Sequence, residues 1–265
     1  MAHSADSGGG IRCLAPQGRV LAVIPARWGS QRFPGKVLTG ISGKPMVQWV
    51  HERVLRAQRV GEVLVATDDE RVARCVRGFG GRVVLTSKDH VSGTDRVGEA
   101  VRDLEADWVI NVQADEPLVP PQILDRLVEA MLARPDLEMA TVCVPLDPDD
   151  PDLHDPDVVK TVVSRDGVAL YFSRSPIPFA RDGWPEGAGP LRHWGIYGFR
   201  RDYLERFVTL PPSPLERTES LEQLRALEDG ARIQVVLGEG LTISVDRPED
   251  VERVEALMRQ EGIAG

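Results

Sequence analysis

Short apolar runs alternate along the first half of the chain with longer segments whose apolar residues recur at helical spacing. The run VLAVIP at 20–25 contains no polar position, which is typical of a strand buried on both faces of a parallel sheet. Strands that alternate with helices form βαβ units, so the pattern predicts an α/β fold with a mostly parallel sheet. The predicted strands lie at 20–25, 63–67, 82–86, 108–112 and 139–145, and the predicted helices at 45–58, 70–78, 92–105 and 120–133.

The pattern changes after residue 146, where prolines and aspartates dominate the segment DPDDPDLHDPD at 147–157. This segment lacks the glycine and the terminal glutamate of an EF-hand loop, so we interpret it as a solvated connector rather than a calcium site. Ser213 and Glu216 form a capping-box pattern that predicts the start of a helix. Beyond the connector, strands are predicted at 158–163, 168–172, 194–199, 233–237 and 241–245, and helices at 213–228 and 248–260.

These elements predict a core that is interrupted by a smaller region. The core spans 19–145, an inserted smaller α+β region spans 146–238, and residues 239–265 return to the core with the last helix. Residues 1–18 are rich in glycine and serine and contain no apolar segment of a secretory signal, so a disordered tail is predicted there.

The charge balance narrows the classes of ligand. With 32 basic and 41 acidic residues the net charge is −9, which argues against a general nucleic-acid-binding surface. No apolar run approaches the roughly 18 residues that a membrane-spanning helix requires, so no membrane insertion is expected. The three cysteines are widely spaced and form no CxxC pair, which argues against disulfides and structural zinc and favours a reducing, cytoplasmic compartment.

The loop PARWGSQRFPGK at 25–36 leaves the carboxyl end of the first predicted strand, the edge at which ligands bind in open α/β sheets. It brings Arg27, Arg32 and Lys36 close to glycines in a chain that has four lysines in total. Cations next to accessible backbone N–H groups form a polyphosphate cradle, although the Walker A pattern is absent. The alternative interpretation is a solvated basic loop.

Carboxylates provide candidate metal ligands at two further places. Asp115 and Glu116 lie in NVQADEP after the fourth predicted strand, at the same sheet edge as the basic loop. Magnesium binds one or two carboxylates together with phosphate oxygens, which makes Asp115 a candidate ligand; a turn aspartate that caps the next helix is the alternative. Asp246 in SVDRPED is a second candidate, and with Glu249 it also fits a capping box, a role compatible with metal binding.

Nine segments, in order over residues 19–259, resemble those of the 3-deoxy-manno-octulosonate cytidylyltransferase family, the CMP-Kdo synthetases. These segments are PARWGSQRFPGK, GKPMVQWV, ATDDERVA, SGTDR, NVQADEP, ALYFSRSPIP, LRHWGIYGFR, SPLERTESLEQLR and VDRPEDVERV. Sialic-acid cytidylyltransferases share the basic loop but usually have Lys-Asn where this chain has Lys36 and Val37, and they lack the LRHxGIY and LEQLR segments. The chain departs from the family pattern at Ala114, where glycine is usual, at Trp28, where tyrosine is common, and at Gln31, where threonine or serine is common.

The resemblance implies a Rossmann-like, glycosyltransferase-A-like nucleotidyltransferase sheet. It also implies a magnesium-dependent enzyme that transfers CMP from CTP to the anomeric hydroxyl of Kdo and releases pyrophosphate, activating the sugar for lipopolysaccharide-type glycan synthesis. Region 19–145 would bind the nucleotide, and region 146–238 would bind the sugar and form a homodimer, with the apolar stretch at 194–199 in the interface. The resemblance implies catalytic roles for Arg27, Lys36 and Asp115, and nucleotide-binding roles for Arg27, Arg32, Lys36, Thr67, Asp68, Ser92, Thr94 and Arg96.

The resemblance further implies a sugar pocket and a metal pair. Arg174 and His193 would meet the carboxylate of Kdo, because an arginine can bind a carboxylate through two parallel hydrogen bonds. On sequence grounds alone, Arg174 also fits a surface position, and His193 and Tyr197 fit core positions. Glu222 and Gln223 fit an exposed helix face. The implied sugar-binding residues are Gln113, Arg174, His193, Tyr197, Glu222 and Gln223, and the implied Mg²⁺ ligands are Asp115 and Asp246.

Other functions remain open on the sequence. The acceptor could be an 8-amino Kdo analogue or another 2-keto acid sugar, with CTP unchanged as the donor. A non-catalytic nucleotide-sugar-binding relative is a further hypothesis, and the presence of Lys36, Asp115 and Asp246 argues against it. A glycosyltransferase of similar architecture is expected to carry a DxD motif after a strand, whereas Asp115 is followed by Glu-Pro.

Overall fold

The computed structural model describes residues 18–29, 33–186, 188–240 and 243–263. The predicted tail, apart from Gly18, and the predicted ligand Arg32 lie outside the described residues. The strands are β1 (Val20–Pro25), β2 (Gly40–Ile41), β3 (Lys44–Pro45), β4 (Glu62–Thr67), β5 (Arg82–Leu85), β6 (Trp108–Asn111), β7 (Met139–Pro145), β8 (Lys160–Val163), β9 (Ala169–Ser173), β10 (Leu191–Arg200) and β11 (Ile233–Leu237). The α-helices are α1 (Met46–Leu55), α2 (Glu70–Gly78), α3 (Gly93–Ala100), α4 (Pro121–Ala133), α5 (Arg201–Phe207), α6 (Pro214–Glu219), α7 (Gln223–Glu228) and α8 (Pro248–Gln260).

Nine strands form one sheet in the order β11-β7-β10-β6-β1-β4-β5, and β8 pairs with both β10 and β9. Strands β5, β4, β1 and β6 run parallel to one another. Strand β10 runs antiparallel to both of its neighbours, β6 and β7, while β11 is parallel to β7. The sheet is therefore mixed but mostly parallel, and the predicted α/β class is confirmed.

The alternation of side chains along β1 explains why its sequence has no polar position. Val20, Ala22 and Ile24 pack into a core on one face with residues of α1, α2 and α4. Leu21 and Val23 pack into the opposite core with residues of α3 and α5. Both faces thus remove apolar surface from water, at roughly 25 cal/mol per Å². The strand is held firmly at the point where the basic loop leaves it.

Strand β10 comes from the second half of the sequence but lies in the middle of the sheet, between β6 and β7. Its apolar residues Trp194, Ile196 and Phe199 are at most 6% exposed because they fill the two cores. The region at 146–238 is therefore continuous with the core sheet. The expectation that the stretch at 194–199 forms a dimer interface is wrong, because its apolar side chains are buried in the interior of a single chain.

Predicted elements also differ from the structure near the carboxyl terminus. The predicted helix at 213–228 is two helices, α6 and α7, because Ser220 adopts the left-handed conformation, with φ 53°, and Leu221 turns into the core. Residues 243–245 form no strand, and Val245 packs instead with Val254 and Met258 of α8. Residues 241–242 lie outside the described residues.

Helix α3 is shorter than predicted, since it ends at Ala100 rather than near residue 105. Within the part of the chain that the structure describes, no helix is both long enough and apolar enough to cross a membrane.

Candidate active site

A cleft of about 710 Å³ opens at the carboxyl edge of the parallel strands. The loop after β1, residues 113–115 after β6 and the amino-terminal end of α3 form its walls. They meet because parallel strands present their carboxyl ends at the same edge of a sheet. The predicted nucleotide and metal residues that line the cleft are Arg27, Lys36, Ser92, Arg96, Asp115 and Asp246.

The indole of Trp28 shapes the loop that carries Lys36. The Gly35 N–H donates to the Trp28 carbonyl at 3.1 Å, and the Arg71 guanidinium lies 3.5 Å from the centre of the indole. Gly35 has a φ of 71°, and a Cβ atom there would come within 2.8 Å of the ring, so both backbone conformation and space require glycine. This packing fixes the point from which the Lys36 side chain enters the cleft.

Lys36 lies between two carboxylates. Its Nζ donates to Asp115 Oδ2 at 2.7 Å, to Asp246 Oδ1 at 2.9 Å and to the Val245 carbonyl at 3.1 Å. Burial by itself would lower the pKa of Lys36, but the charges and hydrogen bonds of Asp115 and Asp246 outweigh burial and raise it. The ammonium is therefore charged at neutral pH.

Asp246 does not cap the last helix. Arg247 occupies the N-cap position of α8, and Asp250 Oδ2 accepts hydrogen bonds from the backbone N–H groups of Asp246 and Arg247 at 3.0 and 2.9 Å. The predicted capping box between Asp246 and Glu249 is therefore wrong, because Asp250 supplies the capping carboxylate. The Asp246 carboxylate faces Lys36 instead, which leaves metal binding as its candidate role.

The pair Asp115 and Asp246 suits a hard divalent cation. One carboxylate oxygen of each converges on a single ammonium nitrogen, so the space between them already accommodates positive charge. Magnesium typically takes one or two carboxylates and completes its shell with phosphate oxygens and water. The described residues contain no cluster of three or more His, Cys, Asp or Glu side chains that could hold an ion. A cation bound here would therefore need further ligands from its substrate.

Arg96 is a buried cation beside the cleft. It is 3% exposed, and its Nη2 donates to Asp68 Oδ2 at 3.2 Å. The other oxygen of Asp68 accepts a hydrogen bond from the Trp28 N–H at 3.3 Å. Asp68 thus connects Trp28, in the loop after β1, with Arg96 of α3, and Arg96 lines the cleft.

Two other predicted nucleotide ligands take different positions. Ser92 lines the cleft and caps α3, where it forms a reciprocal capping box with Asp95. Thr67 is fully buried, and its hydroxyl accepts a hydrogen bond from the Asp69 N–H at 3.3 Å. The structure therefore brings Ser92 to the cleft surface but keeps Thr67 behind it.

A chain of buried hydrogen bonds connects the two halves of the site. Thr94 Oγ1 donates to Glu222 Oε2 at 2.7 Å and accepts from Asn111 Nδ2 at 3.2 Å, and Gln113 Nε2 donates to Asn111 Oδ1 at 3.1 Å. Burial raises the pKa of Glu222, against the opposing effect of the Thr94 hydrogen bond. Thr94 and Glu222 line neither cleft, and they hold Asn111, which in turn binds the cleft residue Gln113. Asn111 was not predicted as a site residue, and its signal in the sequence is a polar residue at the end of an apolar strand.

A second cleft, of about 320 Å³, adjoins the first and shares Gln113 and Asp115 with it. Tyr197 and Gln223 line this cleft, and the Tyr197 hydroxyl donates to Gln223 Oε1 at 3.0 Å. Burial raises the pKa of Tyr197, so its hydroxyl stays protonated at neutral pH. Ligands in the two clefts would approach each other beside Asp115.

His193 also lines the second cleft, as a neutral side chain. Its Nε2 lies 2.9 Å from Thr141 Oγ1, and that hydroxyl donates its own proton to the Ile196 carbonyl at 2.8 Å. The hydroxyl must therefore accept from His193, which assigns the imidazole proton to Nε2. Burial lowers the pKa of His193 to about 3. His193 is therefore uncharged at neutral pH and could meet a sugar acid only through hydrogen bonds, and its role in sugar binding stays a prediction.

A His193→Gln variant tests this assignment through the pH dependence of stability. Because the pKa of about 3 in the folded protein lies below the usual value, the unfolded chain binds a proton that the folded protein excludes as the pH falls below about 6.5. Between pH 6 and 5, the unmodified protein should lose about 1 kcal/mol of unfolding free energy that the variant keeps. Urea unfolding at several pH values measures both, and parallel profiles would contradict the assignment.

The structure does not bring Arg174 to the surface of either cleft. Its guanidinium donates to the carbonyls of Pro156, Glu219 and Ser220 at 2.7, 2.6 and 3.3 Å. These contacts use three of the five N–H donors of the guanidinium and direct it towards backbone carbonyls. The predicted role of Arg174 as a carboxylate ligand is therefore not supported by its surroundings.

Arg192 is the one arginine or lysine among the described residues that line the second cleft. Its Nη1 donates to Asp152 Oδ2 at 2.8 Å, and its side chain is 30% exposed. Arg192 lies in the segment LRHWGIYGFR but was not predicted as a site residue. A lone arginine in a strand has no spacing signal, so its placement beside a cleft is visible only in the fold.

A mixed α/β sheet with a cleft lined by Arg27, Lys36 and Arg96 at its carboxyl edge is the arrangement in which open α/β proteins bind their ligands. Residues 21–233 match the family model described as cytidylyltransferase, and the chain belongs to this family.

Curated relatives agree with the resemblance drawn from the motifs. The chain is 49% identical over 247 residues to the 3-deoxy-manno-octulosonate cytidylyltransferase of Geobacter sulfurreducens, covering 89% of this chain and 97% of the relative. It is 48% identical over 257 residues to the enzyme of the same name from Pelobacter propionicus, covering 91% and 97%.

Solved structures match the fold as well. A CMP:2-keto-3-deoxy-manno-octonic acid synthetase complexed with CTP is 46% identical, has a TM-score of 0.87, and aligns over 92% of this chain and 99% of its own. A 4-diphosphocytidyl-2C-methyl-D-erythritol synthase from Anaerococcus prevotii is 14% identical with a TM-score of 0.61, over 92% of this chain and 99% of its own, and it shares the fold alone.

Proposed function

We propose that this protein transfers CMP from CTP to the anomeric hydroxyl of 3-deoxy-manno-octulosonate (Kdo), releasing pyrophosphate. The names of relatives 48–49% identical to the chain support this reaction. The structural observation that carries it is the junction of the two clefts at Gln113 and Asp115. A nucleotide in the larger cleft and a sugar acid in the smaller cleft would meet there. The bond that forms joins the sugar oxygen to the α-phosphorus, and the bond to pyrophosphate breaks.

The larger cleft supplies what a triphosphate requires. Transfer at phosphorus depends mainly on alignment and on neutralisation of growing negative charge, rather than on a protein nucleophile. Lys36 and Arg27 line the cleft on the basic loop and would contact the phosphates, as the sequence predicts for Arg32 too. Arg96, held by Asp68, adds a fixed positive charge behind them.

Asp115 and Asp246 line the larger cleft and would hold a Mg²⁺ ion. A metal ion held there would supply Lewis-acid stabilisation of the negative charge that develops during transfer. The Lys36 ammonium now contacts both carboxylates, so in the loaded enzyme it would shift its hydrogen bonds towards phosphate oxygens. The protein thus contributes two ligands and one compensating cation.

The smaller cleft suits an acidic, hydroxyl-rich sugar. Tyr197 and Gln223 orient each other's polar groups, and Gln113 adds an amide at the junction. His193 donates through Nε2 to Thr141, so its other ring nitrogen is an acceptor. Arg192 would meet the carboxylate of the acceptor, because it is the cation that lines this cleft within the described ranges.

Pyrophosphate release with CTP, Mg²⁺ and a panel of 2-keto sugar acids tests the function. Kdo should give the highest kcat/KM, and replacing CTP by ATP, GTP or UTP serves as the control for the donor. If Kdo is inert while its 8-amino analogue reacts, the assignment of Kdo as the acceptor is refuted, but the proposed cytidylyltransferase activity is not. If no sugar acid releases pyrophosphate, the proposed reaction is refuted. A cytoplasmic location and a role in lipopolysaccharide-type glycan synthesis follow from the reaction as expectations.

We further expect a homodimer whose interface lies in region 146–238. The exposed apolar side chains there include Phe179, 88% exposed, and Leu170, 60% exposed. Burying a phenylalanine in an interface contributes about 1.5–3 kcal/mol, so Phe179→Ser should weaken the dimer by roughly tenfold or more. Light scattering at micromolar concentration should give twice the chain mass of 29.2 kDa. A monomer mass for the unmodified protein would refute the dimer.

A further inference from the structure

Lys160, the first residue of β8, is fully buried, although lysine side chains are almost always exposed. Its Nζ donates to the carbonyls of Asp155, Val158 and Arg174 at 2.8, 2.5 and 2.7 Å. An ammonium group has three N–H donors, so every donor is used. No carboxylate among the described residues forms an ion pair with it at 4.0 Å or less. Backbone carbonyls alone make these hydrogen bonds.

Burying the Lys160 ammonium lowers the free energy of unfolding unless its hydrogen bonds offset the loss of hydration. Removing an ammonium from water is costly, and an apolar side chain of similar volume is often equally stable in such a position. The ammonium fixes the relative position of two separate segments, because its nitrogen binds backbone carbonyls of both. One segment is the connector before β8, and the other begins after β9 at Arg174.

Arg174 extends the same arrangement to a third segment. Its guanidinium reaches the carbonyls of Pro156, Glu219 and Ser220, the last two at the carboxyl-terminal end of α6. The Glu219 carboxylate accepts hydrogen bonds from the Ser173 hydroxyl and from the Arg174 N–H at 2.7 and 2.9 Å. Two cations therefore fasten residues 155–158, 173–174 and 219–220 together; we call this arrangement the carbonyl lock.

The carbonyl lock lies behind one wall of the smaller cleft. Residues 157–159 line the cleft directly after the first locked carbonyls, and Leu221 and Gln223 line it directly after the last. The Val159 carbonyl also accepts a hydrogen bond from the His193 N–H at 2.8 Å, which joins this wall to β10. Neither Lys160 nor Arg174 lines the cleft itself.

We propose that Lys160 is a positioning residue for the acceptor: together with Arg174, it sets the distance between residues 157–159 and Leu221–Gln223 without touching the sugar. The proposal rests on the proposed function in that it takes the smaller cleft as the acceptor site. Loosening the lock would move groups that orient the acceptor, and displacements of about 1 Å can reduce rates by about a hundredfold. Nucleotide contacts in the larger cleft would be unaffected.

Steady-state kinetics of Lys160→Met and Arg174→Gln test this. Each variant should raise KM for Kdo by about tenfold or more and change KM for CTP by less than about twofold. Lys44→Met is the matched control, because Lys44 forms a partly exposed ion pair with Glu52 and lines neither cleft. Equal rises in both KM values, or no rise in either, would overturn the proposal.

A second measurement separates positioning from direct contact. Inhibition constants are measured for a non-reactive Kdo analogue and for its carboxamide, which lacks the negative charge. Lys160→Met and Arg174→Gln should weaken both inhibitors by the same factor, whereas Arg192→Gln should weaken the carboxylate selectively. Selective loss of the carboxylate in the Arg174 variant would show direct contact and reject a positioning role for that residue.

Hydrogen exchange of the substrate-free protein makes the test independent of the acceptor's identity. Amides at 157–159 and 221–223 should exchange faster in both variants, while those at 36–38 and 113–115 should not change. If Lys160→Met does not fold, Arg174→Gln carries the test, because its side chain is already 34% exposed. Unchanged exchange at 157–159 and 221–223 would refute the carbonyl lock, whether or not the protein turns over Kdo. If the unmodified protein does not turn over Kdo, only the proposed reaction is refuted.

Discussion

Replacing Lys36 by methionine should lower kcat/KM for CMP transfer by about 10²–10³-fold, the usual cost of losing one contact to charge that develops in a transition state. Pyrophosphate gains negative charge as it leaves, and Lys36 enters the cleft at the junction where that charge would develop. The methionine keeps an unbranched side chain, one heavy atom shorter, and removes the charge and the N–H donors. Pyrophosphate release at saturating Mg²⁺ and CTP measures the loss.

The control for Lys36→Met is Lys44→Met, which removes the lysine at the start of β3. Lys44 pairs with Glu52 at 2.7 Å and lies 4.6 Å from the centre of the Trp49 ring, outside both clefts. Its variant should keep activity within about twofold, as expected when a partly exposed ion pair is removed. A folded Lys36→Met protein that is as active as this control would remove Lys36 from the mechanism.

Lys36→Met should also change how the protein responds to metal without nucleotide. Without the ammonium, Asp115 and Asp246 lose the cation that they share, so a divalent cation can take its place. Addition of Mg²⁺ should therefore raise the melting temperature of this variant more than that of the unmodified protein. Equal shifts would show that the two carboxylates do not share a cation.

Asp115→Asn should have an effect of similar size, about 10²–10³-fold in kcat/KM, because it removes one of the two carboxylates that suit Mg²⁺. The Mg²⁺ concentration required for half-maximal rate should rise in parallel. Asp246→Asn should behave in the same way while the protein keeps its melting temperature, since the α8 cap does not depend on its carboxylate. Activity titrated with Mg²⁺, together with thermal unfolding, gives both quantities.

Asp250→Ala and Glu249→Ala are the matched variants for the cap. Asp250 accepts the two backbone hydrogen bonds at the start of α8, so its loss should cost about 1 kcal/mol of unfolding free energy. Glu249, the capping partner expected from the sequence, should be neutral in both assays. An Asp246→Asn variant that melts earlier but keeps full activity would restore the cap interpretation and remove Asp246 from the metal site.

Several elements could be predicted to the residue because their signals are local. A strand with apolar residues on both faces, or a helix with proline at its start and a change of pattern at its end, depends on neighbours a few positions away. The strands and helices predicted with the observed bounds are Val20–Pro25, Glu70–Gly78, Met139–Pro145, Ile233–Leu237 and Pro248–Gln260. The carboxyl ends of the predicted parallel strands also indicated the edge of the sheet at which the site lies.

Elements whose form depends on distant packing were predicted less well. The pattern of 213–228 is helical throughout, yet the chain breaks at Ser220 so that Leu221 can enter a core built by other segments. The apolar stretch at 194–199 predicts a strand but does not reveal its neighbours. Its position between β6 and β7 is set by pairing across the fold, which turned an expected surface into interior.

The sequence by itself determined the α/β class, the sheet edge at which chemistry occurs and the residues with suitable functional groups. Only the tertiary structure decided what each group faces. Lys36 meets a carboxylate 210 positions away, Arg174 is bound to backbone carbonyls, and His193 is neutral in the interior. Charge, exposure and hydrogen-bond partners arise from contacts between segments far apart in the chain, and periodicity along one segment carries no information about them.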